Sequence, residues 1–156
     1  MVDKDLVADF YRAYAYFRWS DDIVDEAITG EAGKPALSKD KQIAFIRRQR
    51  ALIETLFQGE RLENLCPEEE MLADLISQDR GTNSGLQSFI FNMFAIIEFD
   101  AHRRGRLIGE DELNWYNETL AKSVTDGLQY FVGNGHAYPA LENRLSAAHA
   151  AHITHL

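Results

Sequence analysis

Asp21, Asp22, Asp25 and Glu26 place four carboxylates within six residues, and Arg18 stands one turn ahead of them. Asp21 and Asp25 are four apart and Asp22 and Asp25 three apart, so on a helix they share a face. Like charges crowded there destabilise a helix unless something offsets them. A hard divalent cation would do so, because Mg2+ takes carboxylate oxygens and then recruits substrate phosphates. Arg18 is spaced to grip a phosphate or to pair with the acids. Acid runs are more often solvated helix faces, favoured near an N-terminus by the helix dipole. These acids instead follow roughly five turns of helical pattern, and Ile23 and Val24 interrupt the polar run.

Other chemistry-bearing residues lie further along. Asp100 ends the apolar stretch 94–99 and precedes Ala101-His102-Arg103-Arg104, which places it at a helix exit or in a polar cavity. Asp126 precedes Gly127, and Tyr116 falls near the start of the same segment. His149, His152 and His155 recur every third residue, but zinc and iron sites draw ligands from more than one element. Glu98 and His102 are four apart, not the Glu-x-x-His spacing of di-iron bundles. Phosphate-binding glycine loops and nucleophile elbows are absent, and Cys66 has no specified base.

Helices must position these residues. Over residues 3–28 apolar side chains recur at helical spacing (Leu6, Phe10, Ala13, Phe17, Val24), predicting a helix of about 39 Å at 1.5 Å per residue. Residues 29–38, with two glycines and Pro35, read as a loop. Ser38 is an N-cap for a helix over 41–57, whose apolar stripe is Ile43, Ile46, Ile53 and Phe57, with Gly59 as the stop. Pro67 opens a shorter helix with Glu68, Glu69 and Glu70 in its first turn, where the dipole favours acids. Glycines at 81 and 85 break the pattern. A helix over 86–106, apolar on most sides, is then expected to be central and buried. Another spans 110–132, closed by Gly133-Asn134-Gly135 and Pro139, and an Ala- and His-rich tail covers 141–156. No β-alternation or internal repeat is present. The class is all-α, a packed helical array in a single domain spanning 1–156.

Composition bounds the function. The net charge of −9 argues against non-specific binding to nucleic acid or anionic membranes, so an anionic substrate needs metal ions or local arginines. One cysteine excludes an intrachain disulfide, and no apolar run approaches the ~20 residues of a membrane span. A cytoplasmic location is the expectation.

With these residues in view, the chain resembles the squalene/phytoene synthase family, all-α isoprenoid synthases that join two prenyl diphosphates head to head. The likeness begins at Tyr14-Ala15-Tyr16-Phe17-Arg18 and the Asp21-Asp22-Ile23-Val24-Asp25-Glu26 motif. It resumes at Glu98-Phe99-Asp100, Leu113, Tyr116, Ala121 and residues 124–127, and extends to 151–156. The resemblance implies that Asp21, Asp22 and Asp25 hold Mg2+, with Mn2+ as the alternative ion, and that Arg18 and Tyr14 contact the diphosphate. It places Asp100 with Asp21 and Asp25 among the catalytic residues, and Tyr116, His152 and His155 along the substrate cavity. It further implies ionisation of an allylic diphosphate, attack by a second prenyl diphosphate, and lipid-soluble products compatible with peripheral membrane contact. NADPH use, chain length, product and oligomeric state are left open.

The chain also departs from that pattern. The family carries two acidic motifs facing one another, and only the first is present; the second would follow residue 156. His152 and His155 stand where Gln and Asn are common, Lys122 where Gly is usual, and a Ser-Phe segment before the first helix is missing. The expectation is a partial domain, truncated at both ends and inactive by itself. The competing reading is a non-catalytic helical relative serving as a binding or assembly module; a di-metal four-helix protein lacks its ligand set.

Overall fold

The computed structural model describes residues 4–29, 38–79, 81, 84–103 and 106–133, with the backbone alone at 26–29. Five helices follow in order: α1 (Lys4–Thr29), α2 (Lys39–Phe57), α3 (Pro67–Ser77), α4 (Leu86–Arg103) and α5 (Glu110–Phe131). No strand occurs among the described residues, and the all-α class holds.

Helix α1 buries Leu6, Ala13, Tyr16, Phe17 and Val24 along one face, which the helical spacing of those residues dictates. Phe10 is half exposed, although its ring meets Phe131 edge-on at 5.6 Å. Ser38 caps α2 by accepting from the Lys41 N–H at 3.4 Å. Gly59, at φ +80°, turns the chain out of α2. Pro67 starts α3, and the Glu69 carboxylate reaches back to the Cys66 N–H at 3.1 Å.

The fourth helix covers Leu86–Arg103 among the described residues, within the span the sequence predicts. The Arg106 N–H donates to the Arg103 carbonyl at 2.8 Å. As expected, α4 is central: it packs most extensively on α5 and also touches α1 and α2. It buries Leu86, Ile90, Phe94, Ile96, Ile97 and Ala101. Two glycines allow the close α4–α5 seam. Gly85 has φ +93°, and a Cβ there would stand 2.7 Å from the Asp126 carbonyl oxygen. A Cβ on Gly127 would stand 2.9 Å from Phe89 Cδ2.

A buried polar chain ties α1, α2 and α3 together, and apolar periodicity alone does not reveal it. The Tyr16 hydroxyl donates to Gln49 Oε1 at 3.0 Å, and Gln49 Nε2 donates to Glu69 Oε1 at 2.7 Å. Arg48 closes on both Glu69 oxygens, at 3.0 and 2.8 Å. Gln42, also buried, donates to the Val24 carbonyl at 3.3 Å. Glu69, expected only as part of a dipole-favoured helix start, is thus the hub of three helices.

Candidate functional site

The acid motif sits in the last two turns of α1, and α4 and α5 bring its partners opposite. Asp21 and Asp22 are half-buried and Asp25 is exposed. Arg18 Nη2 pairs with Asp22 Oδ1 at 2.8 Å, one turn along the same helix. On α4 both oxygens of Asp100 are engaged: Arg103 Nε donates to Oδ1 at 2.6 Å, and the Tyr116 hydroxyl of α5 donates to Oδ2 at 3.3 Å. The Arg103 guanidinium also lies over the Tyr116 ring, 5.8 Å from its centroid.

The electrostatics show that these groups share one space. Burial pushes the Asp21 carboxyl above its ordinary pKa, as do the negative charges of Asp25, Asp22 and Asp100, while Arg18 opposes them. The Tyr116 phenol is likewise raised by burial, then by the charge and hydrogen bond of Asp100 and by Asp21, with Arg103 opposing. The charge of Asp100 on α4 therefore reaches Asp21 on α1, and Arg18 offsets the crowded negative charge there only in part.

Aromatic side chains continue the same face of α1. Phe17, one turn before Asp21, meets Phe89 of α4 edge-on at 5.4 Å, and Phe89 meets Phe131 of α5 at 5.5 Å. Gly127 gives Phe89 its room. Two tryptophans flank the acids: Trp19 against Phe45 at 5.2 Å, and Trp115 against Phe99 at 5.2 Å.

Of the residues expected to form a site, Arg18, Asp21, Asp22 and Asp25 share the end of α1, and Asp100 and Tyr116 of α4 and α5 lie near enough for charge to act between them and Asp21. Tyr14 is 60% exposed one turn before Arg18 and joins none of these hydrogen bonds. Asp126 lies about 15 Å further along α5 than Tyr116, at the Gly85 seam. His152 and His155 lie outside the described residues. Glu98 pairs with Arg50 of α2, and His102 Nδ1 approaches the Glu98 carbonyl at 2.7 Å, so neither points to a shared metal. Arg103 is the residue that motif reading missed; its signal was its spacing three residues after Asp100.

Among the described residues no three His, Cys, Asp or Glu side chains converge as a ready-made metal cage. A Mg2+ ion held by one or two carboxylates, waters and substrate phosphates needs no such cage, and the acid-rich donor set suits it. No helix among the described residues is long and apolar enough to cross a membrane.

No family model, curated protein or solved structure matches this chain. The likeness to the squalene/phytoene synthases rests on the residues themselves.

Proposed function

We propose that this chain carries one wall of a Mg2+-dependent prenyl diphosphate site, as in a prenyltransferase of the squalene/phytoene synthase kind. The observation that carries the reading is the stripe Phe17–Asp21–Asp25 on α1 with Phe89, Asp100 and Tyr116 drawn toward it. It sets carboxylates one helical turn from a buried cluster of aromatic rings. An amphiphile with an anionic head and an apolar allylic tail has that polarity. Asp21 and Asp25, with Asp22 beside them, would hold the ion, and Arg18 and Tyr14 would contact the diphosphate. When bound, Mg2+ would neutralise the charge developing on the leaving diphosphate. Asp100 and Tyr116 would line the cavity, and Phe17, Phe89 and Phe131 would keep water from the cationic carbon skeleton.

The test is calorimetric binding of a non-hydrolysable allylic thiodiphosphate with and without Mg2+. The expected result is Mg2+-dependent binding that is lost in Asp21→Asn/Asp25→Asn while the helical circular dichroism is unchanged. Equal binding by that double variant would remove the metal role and leave the helical binding module as the better reading.

A further inference from the structure

An open groove lies where α2 and α3 end, on helices that carry none of the acid motif. Its volume is about 620 Å³, within the range that small-molecule sites occupy. Leu56 and Phe57 from the last turn of α2, Leu65 from the following loop and Ile76 of α3 give it an apolar floor. Ala73 of α3 also lines it, and the smallness of that side chain keeps the hollow open. The loop that forms the rim is tied down by its backbone. Gly59 and Asn64, at φ +80° and +60°, turn the chain there. The Gly59 N–H donates to the Leu56 carbonyl at 3.0 Å, and the Glu60 N–H to the Thr55 carbonyl at 3.3 Å.

The charge around this floor is one-sided. Among the described residues that line it, Glu60, Asp74 and Asp79 stand against a single guanidinium, that of Arg61. The C-terminal ends of α2 and α3 add their dipoles, each equivalent to about half a negative charge, and neither helix has a basic residue in its last turn. The Ser77 hydroxyl donates to the Asp74 carbonyl of its own helix at 2.7 Å, so its proton is not offered to an anion. Asp79 Oδ1 accepts from the Gly81 N–H at 3.4 Å, which steadies that carboxylate at the groove. A neutral ligand would leave this field unanswered, and an anion would be repelled. A partner helix needs anchoring positions along several turns, whereas two helix ends and one short loop bound a hollow for a compact ligand.

We propose that the groove at the ends of α2 and α3 binds a small organic cation, an ammonium carried on an alkyl or aryl body. The ammonium sits among Glu60, Asp74 and Asp79, and the body lies on Leu56, Phe57, Leu65 and Ile76. This site is independent of the diphosphate reading: it takes the opposite charge and shares no residue with the acid motif.

Three ligands with one apolar body test it: phenylbutylammonium, phenylbutanol and phenylbutyrate. Each is titrated into the isotope-labelled full chain, and the amide resonances of the groove residues Gly59, Arg61, Ala73 and Ser77 are followed. The ammonium is expected to shift them saturably and to bind about fivefold tighter than the alcohol or better, with the carboxylate weakest. Glu60→Gln/Asp74→Asn should bring the ammonium down to the alcohol. Asp111→Asn/Glu118→Gln, the same change in charge at exposed residues of α5, should not. Ala73→Leu should weaken the ammonium and the alcohol together by filling the floor. Equal binding of ammonium and alcohol by the wild type would overturn the proposal. So would shifts confined to residues 21–25, which would make the acid motif the cation's site. A lysine-rich peptide that moves the groove amides when phenylbutylammonium does not would also overturn it, and would give the groove to a protein partner. The wild-type comparison decides by itself should a variant lose helical circular dichroism.

Discussion

Asp21 is costly to the folded protein in its charged form. Its carboxyl is raised above the ordinary range by burial first, then by Asp25, Asp22 and Asp100, against the pull of Arg18. The folded state therefore takes up this proton more readily than the unfolded chain, and stability contributed by Asp21 rises as pH falls through its folded pKa. Asp21→Asn is expected to raise the melting temperature of the metal-free protein at pH 7, with about 0.2–0.5 kcal/mol from relief of the Asp21–Asp25 repulsion alone. The gain should shrink at pH 5, and a thermal melt at both pH values checks this. Saturating Mg2+ with a diphosphate should reverse the ranking, since only the wild type then gains binding energy. The sequence exposed this residue through its spacing to Asp25. It did not expose the proximity of Asp21 to Asp100, because that depends on how α1 and α4 cross.

Between elements the governing group is Glu69, a buried carboxylate of opposite sign in its effect. Burial would raise its pKa, but Arg48, Gln49 and the Cys66 N–H together hold it below the ordinary range. Its contribution to stability is thus present above its unfolded pKa and lost as pH falls through the folded one. Glu69→Gln is expected to destabilise by about 1–3 kcal/mol, because it leaves the Arg48 side of the network without its charge partner. A urea titration at neutral pH measures the loss, which should narrow in acid. Gly127→Ala tests the other seam. The new Cβ needs Phe89 to move out from between Phe17 and Phe131, an overpacking cost of about 1–3 kcal/mol. Unchanged stability in Gly127→Ala would mean that the Phe89 ring has another place to go. The helices themselves were legible because Pro67, Ser38, Gly59 and the apolar periodicity act locally. Gln42, Gln49 and Glu69 were not, since a polar residue on a buried face is satisfied only by a partner from another helix.

For the molecule as a whole, a net charge of −9 sets the kinetics of any anionic ligand. The global field repels such a ligand, and arginines beside the acids, Arg18 first, attract it locally. Added NaCl screens the repulsion over a Debye length of about 10 Å at 0.1 M. The association rate of a thiodiphosphate in saturating Mg2+ is therefore expected to rise with ionic strength, and stopped-flow mixing at several salt concentrations reads it. A falling rate would show that the local guanidiniums dominate at long range. The mixing needs no added dye. Trp19 stands on the α1–α2 side of the acids and Trp115 on the α4–α5 side, each against one phenylalanine ring. Their indoles give each helix pair one native fluorophore. Trp19→Phe and Trp115→Phe would each silence one pair, so the order in which the emissions change would time α1–α2 and α4–α5 separately.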